Sequence, residues 1–207
     1  MDIHFIKTAF VTLFVAIDPP GLIPIFLSLT GTMSIAQRKI TARRATIIAF
    51  TILTIAALCG QSVLNALGIT MPAFRIAGGL LLFYIAFEMV FERREERKAD
   101  KAEEAMHEDH VHDIAAFPLA VPLIAGPGCI TATILQSAAA GPSVMAQASL
   151  IAVLAIILGC AFLMFRLSTQ LDRLISKTAR NVIIRLMGVI LAAMAAQIIG
   201  DGVMAFR

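Results

Sequence analysis

The sequence predicts an all-α integral membrane protein with six transmembrane helices, and three observations support this fold class. Apolar residues make up 59% of the 207 residues, charged residues make up 15%, and the mean hydropathy is +0.87. A soluble domain has about a quarter charged residues, and a chain this short cannot hide so much apolar surface from water. Six apolar segments are each long enough to cross a bilayer, and the loops between them alternate between basic and non-basic.

The predicted spans follow one another from the N-terminus to the C-terminus. Each holds roughly 20 or more mostly apolar residues, the length that crosses a hydrocarbon core of about 30 Å. The first is expected to be a retained span, because Asp2 and the lack of a small-residue cleavage site are untypical of a signal peptide. The six spans are residues 4–29, 41–64, 72–91, 114–138, 143–165 and 183–205.

The loops that join these spans differ sharply in their basic residues. The loops at 30–44, 92–113 and 166–182 hold 13 of the 17 lysines and arginines, whereas those reading NALGITM and AAAGP hold none. Cytoplasmic loops carry the excess of Lys and Arg in membrane proteins. We therefore expect these three loops in the cytoplasm and both termini outside. The basic residues are explained by orientation in the bilayer, and no nucleic-acid partner is predicted.

The loop at 92–113 is the most charged segment, with nine acidic residues beside five basic ones. We interpret it as a solvated cytoplasmic segment, partly helical or disordered. Three histidines near its end offer possible metal ligands, but their spacing fits no structural zinc site. No metal or other cofactor is predicted. These histidines are His107, His110 and His112.

An internal repeat relates the two halves of the chain. DPPGLIP in the first span corresponds to AGPGCIT in the fourth, and RIAGGLLL in the third corresponds to RLMGVILA in the sixth. The separations also match, with 55 residues from Pro20 to Arg75 and 58 from Pro127 to Arg185. Halves of three spans cross the membrane in opposite directions, which is typical of secondary transporters. The predicted divisions are a first three-helix repeat at 1–91, the loop at 92–113 and an inverted second repeat at 114–207.

Both repeats interrupt their first span near its middle, which predicts that spans 1 and 4 are broken near the bilayer midplane. Proline removes a backbone donor and glycine lets the chain turn. Free backbone groups at that depth are tolerated where they line a wet cavity. A helix start suits a carboxylate, and Asp18 suits an ammonium group, so we expect a small zwitterionic solute. The predicted substrate-binding residues are Asp18, Pro19, Pro20, Gly21, Pro24, Gly126, Pro127, Gly128 and Thr131.

Other polar residues in the spans are secondary candidates. Asp18 could cap the half-helix that follows it and, when partly desolvated, exchange a proton during ion coupling. Glu88 is the other candidate for ion coupling, with the cytoplasmic interface as its alternative place. Arg75 and Arg185 are interpreted as anchors of span ends or as gating ion pairs. The weaker candidates are Thr133, Gln136, Gln197 and Asp201, the last expected to be solvated.

Two patterns of small residues are interpreted structurally. A ridge on the sixth span predicts close helix packing, either within one subunit or in a homo-oligomer. The ridge consists of Ala192, Ala196 and Gly200. The cysteines lie in apolar segments without metal-ligand spacing and are interpreted as small apolar residues. They are Cys59, Cys129 and Cys160.

Three segments, DPPGLIPIFLSLT, PLAVPLIAGPGCIT and RIAGGLLL, resemble the MarC family of bacterial inner-membrane proteins, also called UPF0056. The family includes the archaeal neutral amino acid transporters, and the resemblance covers essentially the whole chain. It implies six spans, an external N-terminus and, for some members, cation-coupled transport of small neutral amino acids such as glycine and alanine.

The repeat and the resemblance together favour a secondary transporter that works by alternating access around the two breaks. A passive channel or a non-transporting membrane scaffold is the alternative. We do not expect an enzyme. The chain has no Walker A sequence, and the Gly-Asp-Gly around Asp201 lacks the second carboxylate that an aspartyl membrane protease needs.

Overall fold

A computed structural model describes residues 3–107, 113–174 and 176–206, which fold as helices joined by short turns. No strand occurs in these ranges. His110 and His112 lie outside the described residues, as does the side chain of His107, so the interpretation of the histidine-containing loop is not tested. The helices, in chain order, are α1 (Ile3–Ile17), a 3₁₀ turn (Pro20–Leu22), α2 (Ile23–Leu29), α3 (Ile35–Ala66), α4 (Met71–Val90), α5 (Arg93–His107), a kinked π-helical segment (Ala115–Ile124), α6 (Pro127–Ala140), α7 (Val144–Arg166), α8 (Ser168–Leu174) and α9 (Lys177–Met204).

The length and hydropathy of these helices confirm an all-α membrane protein. Within the described ranges, five segments are long and apolar enough to cross a bilayer. The π-helical segment and α6 form a bent pair that brings the number to six when the pair is counted as one span. Each of the six predicted spans coincides with one of these segments.

The long helices begin at hydroxyl caps. Ser34, Thr70, Ser143 and Ser176 precede α3, α4, α7 and α9, and each accepts a hydrogen bond from the backbone N–H three residues later. At Ser34 the backbone N–H in turn donates to Gln37 Oε1, which completes a capping box. Such caps satisfy backbone donors that have no partner in the helix. They fix where four of the long helices start.

The first span is interrupted at Asp18. Pro19 and Pro20 follow, and neither has an N–H to continue the helix. Asp18 has a φ of 58°, in the left-handed region that aspartate tolerates better than most residues. The 3₁₀ turn and α2 then resume the path, with Pro24 in the first turn of α2, where a missing N–H costs nothing. The two parts together make one candidate span, Ile3–Leu29.

The second interruption separates the π-helical segment from α6 and bends the chain by 59°. Pro118 and Pro122 lie inside the π-helical segment, and the residues before them, Phe117 and Val121, have extended backbone angles. Residues before proline are pushed out of the helical region by a steric clash. Gly126 ends the interruption in an extended conformation, and α6 begins at the next residue. The depth of both interruptions in the bilayer and the inverted repeat stay predictions.

Helices α4 and α9 make the most extensive contact in the molecule. Glycines allow this approach, because Gly79 lies against Ala195 and Ile199, and Gly188 lies against Ala86 and Met89. The predicted ridge on the sixth span lies mostly elsewhere. Ala196 and Gly200 are exposed, so the prediction that these two residues pack within the subunit is wrong. Their role in a homo-oligomer stays a prediction.

The charged segment after α4 is packed against the bundle, which corrects the expectation of a solvated loop. Residues 93–107 form α5, which contacts the π-helical segment and α2. Arg94, Lys98 and Ala102 recur every four residues and are buried, so they lie on one face of the helix. Of the described residues on the other faces of α5, Arg93, Glu96 and Asp100 are exposed. The two cations, Arg94 and Lys98, can be buried because the Asp18 carboxylate lies beside them.

Candidate functional site

The carboxylate of Asp18 lies at the centre of a buried polar cluster. Its residue is only 1% exposed. Oδ1 accepts a hydrogen bond of 3.2 Å from the Gly21 N–H, which closes the turn at the first interruption. Oδ2 accepts a hydrogen bond of 3.3 Å from Lys98 Nζ and lies 3.9 Å from Arg94 Nε. The predicted cap by Asp18 is therefore formed, with the N–H of Gly21 as the donor.

The interruption frees a carbonyl that side chains of α5 and α6 then contact. In a continuous helix Ala16 O would accept from the N–H of residue 20, which is a proline and has none. Arg94 Nη2 donates to this oxygen at 2.5 Å, and Cys129 Sγ lies 3.3 Å from it. Arg94 Nη1 lies 2.9 Å from Met89 Sδ. Cys129 thus does more than fill apolar space.

Burial changes the proton affinity of Lys98, which belongs to α5 outside the spans. Loss of water around its ammonium group lowers its pKa from 10.5 to about 8, and the nearby Arg94 charge adds to this lowering. Attraction to Asp18 acts in the opposite direction. Lys98 therefore remains mainly protonated at pH 7 and can hold the Asp18 carboxylate.

A small cavity of about 60 Å³ lies beside this cluster, between the two interruptions. That space is enough for one or two water molecules, or for a group the size of a carboxylate. Its walls combine small residues of both interruptions with the cations of α5. The lining residues are Ala16, Ile85, Arg94, Arg97, Lys98, Pro122, Leu123, Gly126, Pro127, Gly128 and Cys129.

Glu88 is buried at 3% exposure near the end of α4, and it is paired. Its Oε2 lies 2.9 Å from Arg97 Nη2, and the Arg97 guanidinium also lies over the Tyr84 ring at 5.7 Å from the centroid. Such a cation–π contact helps the salt bridge to hold the guanidinium in place. Glu88 therefore holds an arginine of the small cavity in place, and its role in ion coupling stays a prediction.

A second, larger cavity of about 630 Å³ opens on the side of the chain termini. Its inner end is formed by a hydrogen bond of 3.2 Å from Gln136 Nε2 to Thr12 Oγ1. Arg75 and Asp201 lie on its wall, so Asp201 belongs to this cavity and is half-buried. The lining residues are His4, Phe5, Thr8, Thr12, Arg75, Leu135, Gln136, Ala139, Met194, Gln197, Ile198 and Asp201.

A thin closed layer separates the two cavities along α1 and α6. On α1 the large cavity reaches Thr12 and the small one reaches Ala16, about 6 Å apart at 1.5 Å per residue. On α6 the corresponding residues are Leu135 and Cys129, about 9 Å apart. Between these levels Leu13, Ala132 and Thr133 are each 0% exposed, so packed side chains form the layer there.

The predicted substrate-binding residues lie at both interruptions, and their binding role stays a prediction. Gly126, Pro127 and Gly128 line the small cavity. Asp18, Pro19 and Gly21 are buried behind it, and Pro20 and Pro24 are half-buried. Thr131 is not part of the wall of either cavity, and its methyl group packs against Gly78 of α4.

The contribution of α5 to this cluster is not predicted from the sequence. Arg94 and Lys98 were counted only as cytoplasmic charges, although each lies within 4 Å of Asp18. The four-residue spacing of Arg94, Lys98 and Ala102 was the available signal, but a charged face normally indicates exposure to water. Among the described residues, no group of three or more potential metal ligands occurs.

The fold and the two cavities define a polytopic integral membrane protein with a polar cluster where two interrupted spans meet. The chain belongs to the MarC family, whose model, described as MarC family integral membrane protein, matches residues 3–206. A UPF0056 membrane protein of Archaeoglobus fulgidus is 39% identical over 97% of this chain and 92% of its own length. YvbG of Bacillus subtilis is 35% identical over 98% and 95%, and YhcE of Escherichia coli is 34% identical over 94% and 89%. No solved structure matches this chain significantly.

Proposed function

We propose that this protein is a secondary transporter of small neutral amino acids, such as glycine and alanine, or of similar small solutes. The observation that carries the proposal is the pair of cavities on opposite sides of one closed layer. A transporter needs a site that opens to one side at a time, and interrupted helices supply free backbone groups for such a site. Membership of the MarC family agrees with a multi-span protein of this kind.

The polar groups around the small cavity suit both ends of an amino acid. The ammonium group of the solute would take the place of Lys98 Nζ at Asp18 Oδ2, which is now 3.3 Å away. The carboxylate of the solute would meet Arg94 and the first turn of α6. In this arrangement Lys98 closes the site on the α5 side until a solute displaces it. Asp18 and Glu88 are the carboxylates available for proton coupling.

The closed layer also bears on the alternative of a passive channel. Leu13, Ala132 and Thr133 would have to separate before ions could pass. A channel would conduct without saturation in a planar bilayer, and a scaffold would show neither conductance nor uptake. A saturable uptake without steady conductance favours the transporter.

The test is uptake and counterflow of labelled glycine and alanine in proteoliposomes, with and without a pH gradient. We expect saturable uptake, larger when a cation gradient is imposed. Folding of the reconstituted protein is checked by size-exclusion chromatography. Absence of uptake of every small neutral amino acid by folded protein would contradict the proposed substrate class.

Replacement of the central carboxylate tests the proposed site. Asp18→Asn keeps the shape and the bond from the Gly21 N–H but removes the charge that holds Lys98. We expect at least a tenfold loss of uptake, because a buried cation loses its partner. Asp100→Asn removes an exposed carboxylate of α5 and serves as the matched control. Equal uptake by both variants would remove Asp18 from the transport site.

A further inference from the structure

The charges around the small cavity do not balance. Among the described side chains, the cations Arg94, Arg97 and Lys98 face two carboxylates. Lys98 pairs with Asp18 at 3.3 Å, and Arg97 pairs with Glu88 at 2.9 Å. Arg94 then remains as a positive charge in excess, although its side chain is only 5% exposed. An uncompensated buried charge is strongly unfavourable, so the cavity is suited to an anion.

The orientation of Arg94 adds to this argument. Its two terminal nitrogens contact Ala16 O and Met89 Sδ. Its Nε is buried without a hydrogen-bond acceptor among the described residues, and its nearest charged neighbour is Asp18 Oδ2 at 3.9 Å. Arg94 lines the cavity, and so does Arg97. The Nε of Arg97 is also buried without a hydrogen-bond acceptor among the described residues, although its Nη2 pairs with Glu88.

The opposite wall supplies backbone donors. Helix α6 has 14 residues, starts at Pro127, and has no side-chain cap. Its first turn includes Gly128 and Cys129, whose N–H groups have no acceptor within the helix. The positive end of the helix dipole therefore faces the same 60 Å³ as the arginines. Gly128 allows Ile85 of α4 to pack against this turn, because an added Cβ there would collide with Ile85.

We propose that the small cavity is a binding site for the carboxylate of a small monovalent anion, with Arg94 as its specificity-determining residue. This proposal rests on the proposed function, because it takes the small cavity as the solute site. It adds that the site recognises the carboxylate of the solute. Because Lys98 already neutralises Asp18, an ammonium group on the ligand is not required. Short-chain monocarboxylates therefore bind without displacing Lys98 from Asp18. Simple amines, which have no carboxylate for Arg94, do not bind.

Cys129 gives a direct probe, since it lines the cavity. In a Cys59→Ala, Cys160→Ala background it is the remaining thiol, and the two replaced cysteines are exposed on the helix surfaces. Two methanethiosulfonate reagents are compared, one bearing a sulfonate and one bearing a trimethylammonium group, each added to both sides of the membrane. Intact mass spectrometry measures the rate at which each reagent modifies Cys129. We expect the anionic reagent to react about tenfold faster. We also expect acetate and alanine, but not ethylammonium, to slow the reaction.

Arg94→Gln should abolish the preference for the anionic reagent and the protection by acetate. Arg94→Lys should restore part of both, and Arg166→Gln, at an exposed arginine, should change neither. The reagent comparison and the protection assay in the parent background decide the matter even if Arg94→Gln does not fold. Equal rates, a preference for the cationic reagent, protection by ethylammonium alone, or no reaction with either reagent would overturn the proposal.

The two proposals fail separately. Alanine uptake without acetate protection would leave the transporter intact and refute the carboxylate site. Acetate protection of Cys129 without uptake of any amino acid would support the carboxylate site and refute amino acid transport.

Discussion

At the scale of single residues, Gly21 shows how closely the first interruption is built around Asp18. An added Cβ on Gly21 would collide with the Asp18 carboxylate, whose Oδ1 accepts from the Gly21 N–H. We expect Gly21→Ala to displace that carboxylate and to destabilise the protein by about 1–3 kcal/mol, as overpacking does. Gly159→Ala is the control, because nothing lies within 4 Å of its added Cβ. Thermal midpoints from size-exclusion after heating compare them, and an equal midpoint for both variants would contradict the packing argument.

Lys98 makes the stability of the cluster depend on pH. Its pKa is lowered from 10.5 to about 8, chiefly by burial, while Asp18, Arg94 and Cys129 are the groups that face it. Between these values the unfolded chain binds more protons than the native one, so the Lys98 contribution to the free energy of unfolding rises with pH. This lowering corresponds to roughly 3 kcal/mol. Below pH 8 both states are protonated, and the unfavourable contribution is constant.

The matched variant is Lys98→Met, which has similar length and no charge. The difference in thermal midpoint, wild type minus variant, should rise between pH 8 and pH 10.5 and stay level from pH 6 to pH 7.5. A difference that falls with rising pH would mean that attraction to Asp18 outweighs the loss of hydration.

At the scale of elements, the packing of α5 against the bundle is the feature that the sequence predicts least well. Ala102 continues the buried face of Arg94 and Lys98, whereas Ala99 lies on the exposed face. Ala102→Glu should detach α5, because it buries a carboxylate among packed residues, and Ala99→Glu should not. Hydrogen exchange of residues 93–103 should accelerate at least tenfold in the first variant alone. Equal exchange in both variants would place Ala102 outside the contact.

The same helix explains what sequence reasoning reached and what it missed. Runs of apolar residues predict the spans, since bilayer thickness sets their length, and proline beside glycine predicts the interruptions at Asp18 and Gly126. The burial of Arg94 and Lys98 could not be predicted, because the composition of a highly charged helix indicates exposure to water. Their partner, Asp18, lies about 80 positions earlier in the chain, and only the fold brings such distant charges together.

At the scale of the whole molecule, the arrangement of the termini limits how the chain can lie in a membrane. His4 and Asp201 line one cavity, so both ends of the chain are on the same side, and α5 lies beside the small cavity at the other end of α1. The three basic loops, with 13 of the 17 lysines and arginines, are on the α5 side. The positive-inside rule then predicts a cytoplasmic α5 and a large cavity that opens outward.

Reporter fusions test this orientation in intact bacterial cells. Alkaline phosphatase, which is active only outside the cytoplasm, should be active when fused after Phe206 and inactive when inserted into the loop at 92–113. Green fluorescent protein at the same two positions should give the opposite pattern, and equal expression on immunoblots is the control. The alternative orientation would place the basic loops outside against the charge bias of membrane insertion. The reversed reporter pattern would therefore turn the 630 Å³ cavity toward the cytoplasm and make α5 an external closure of the solute site.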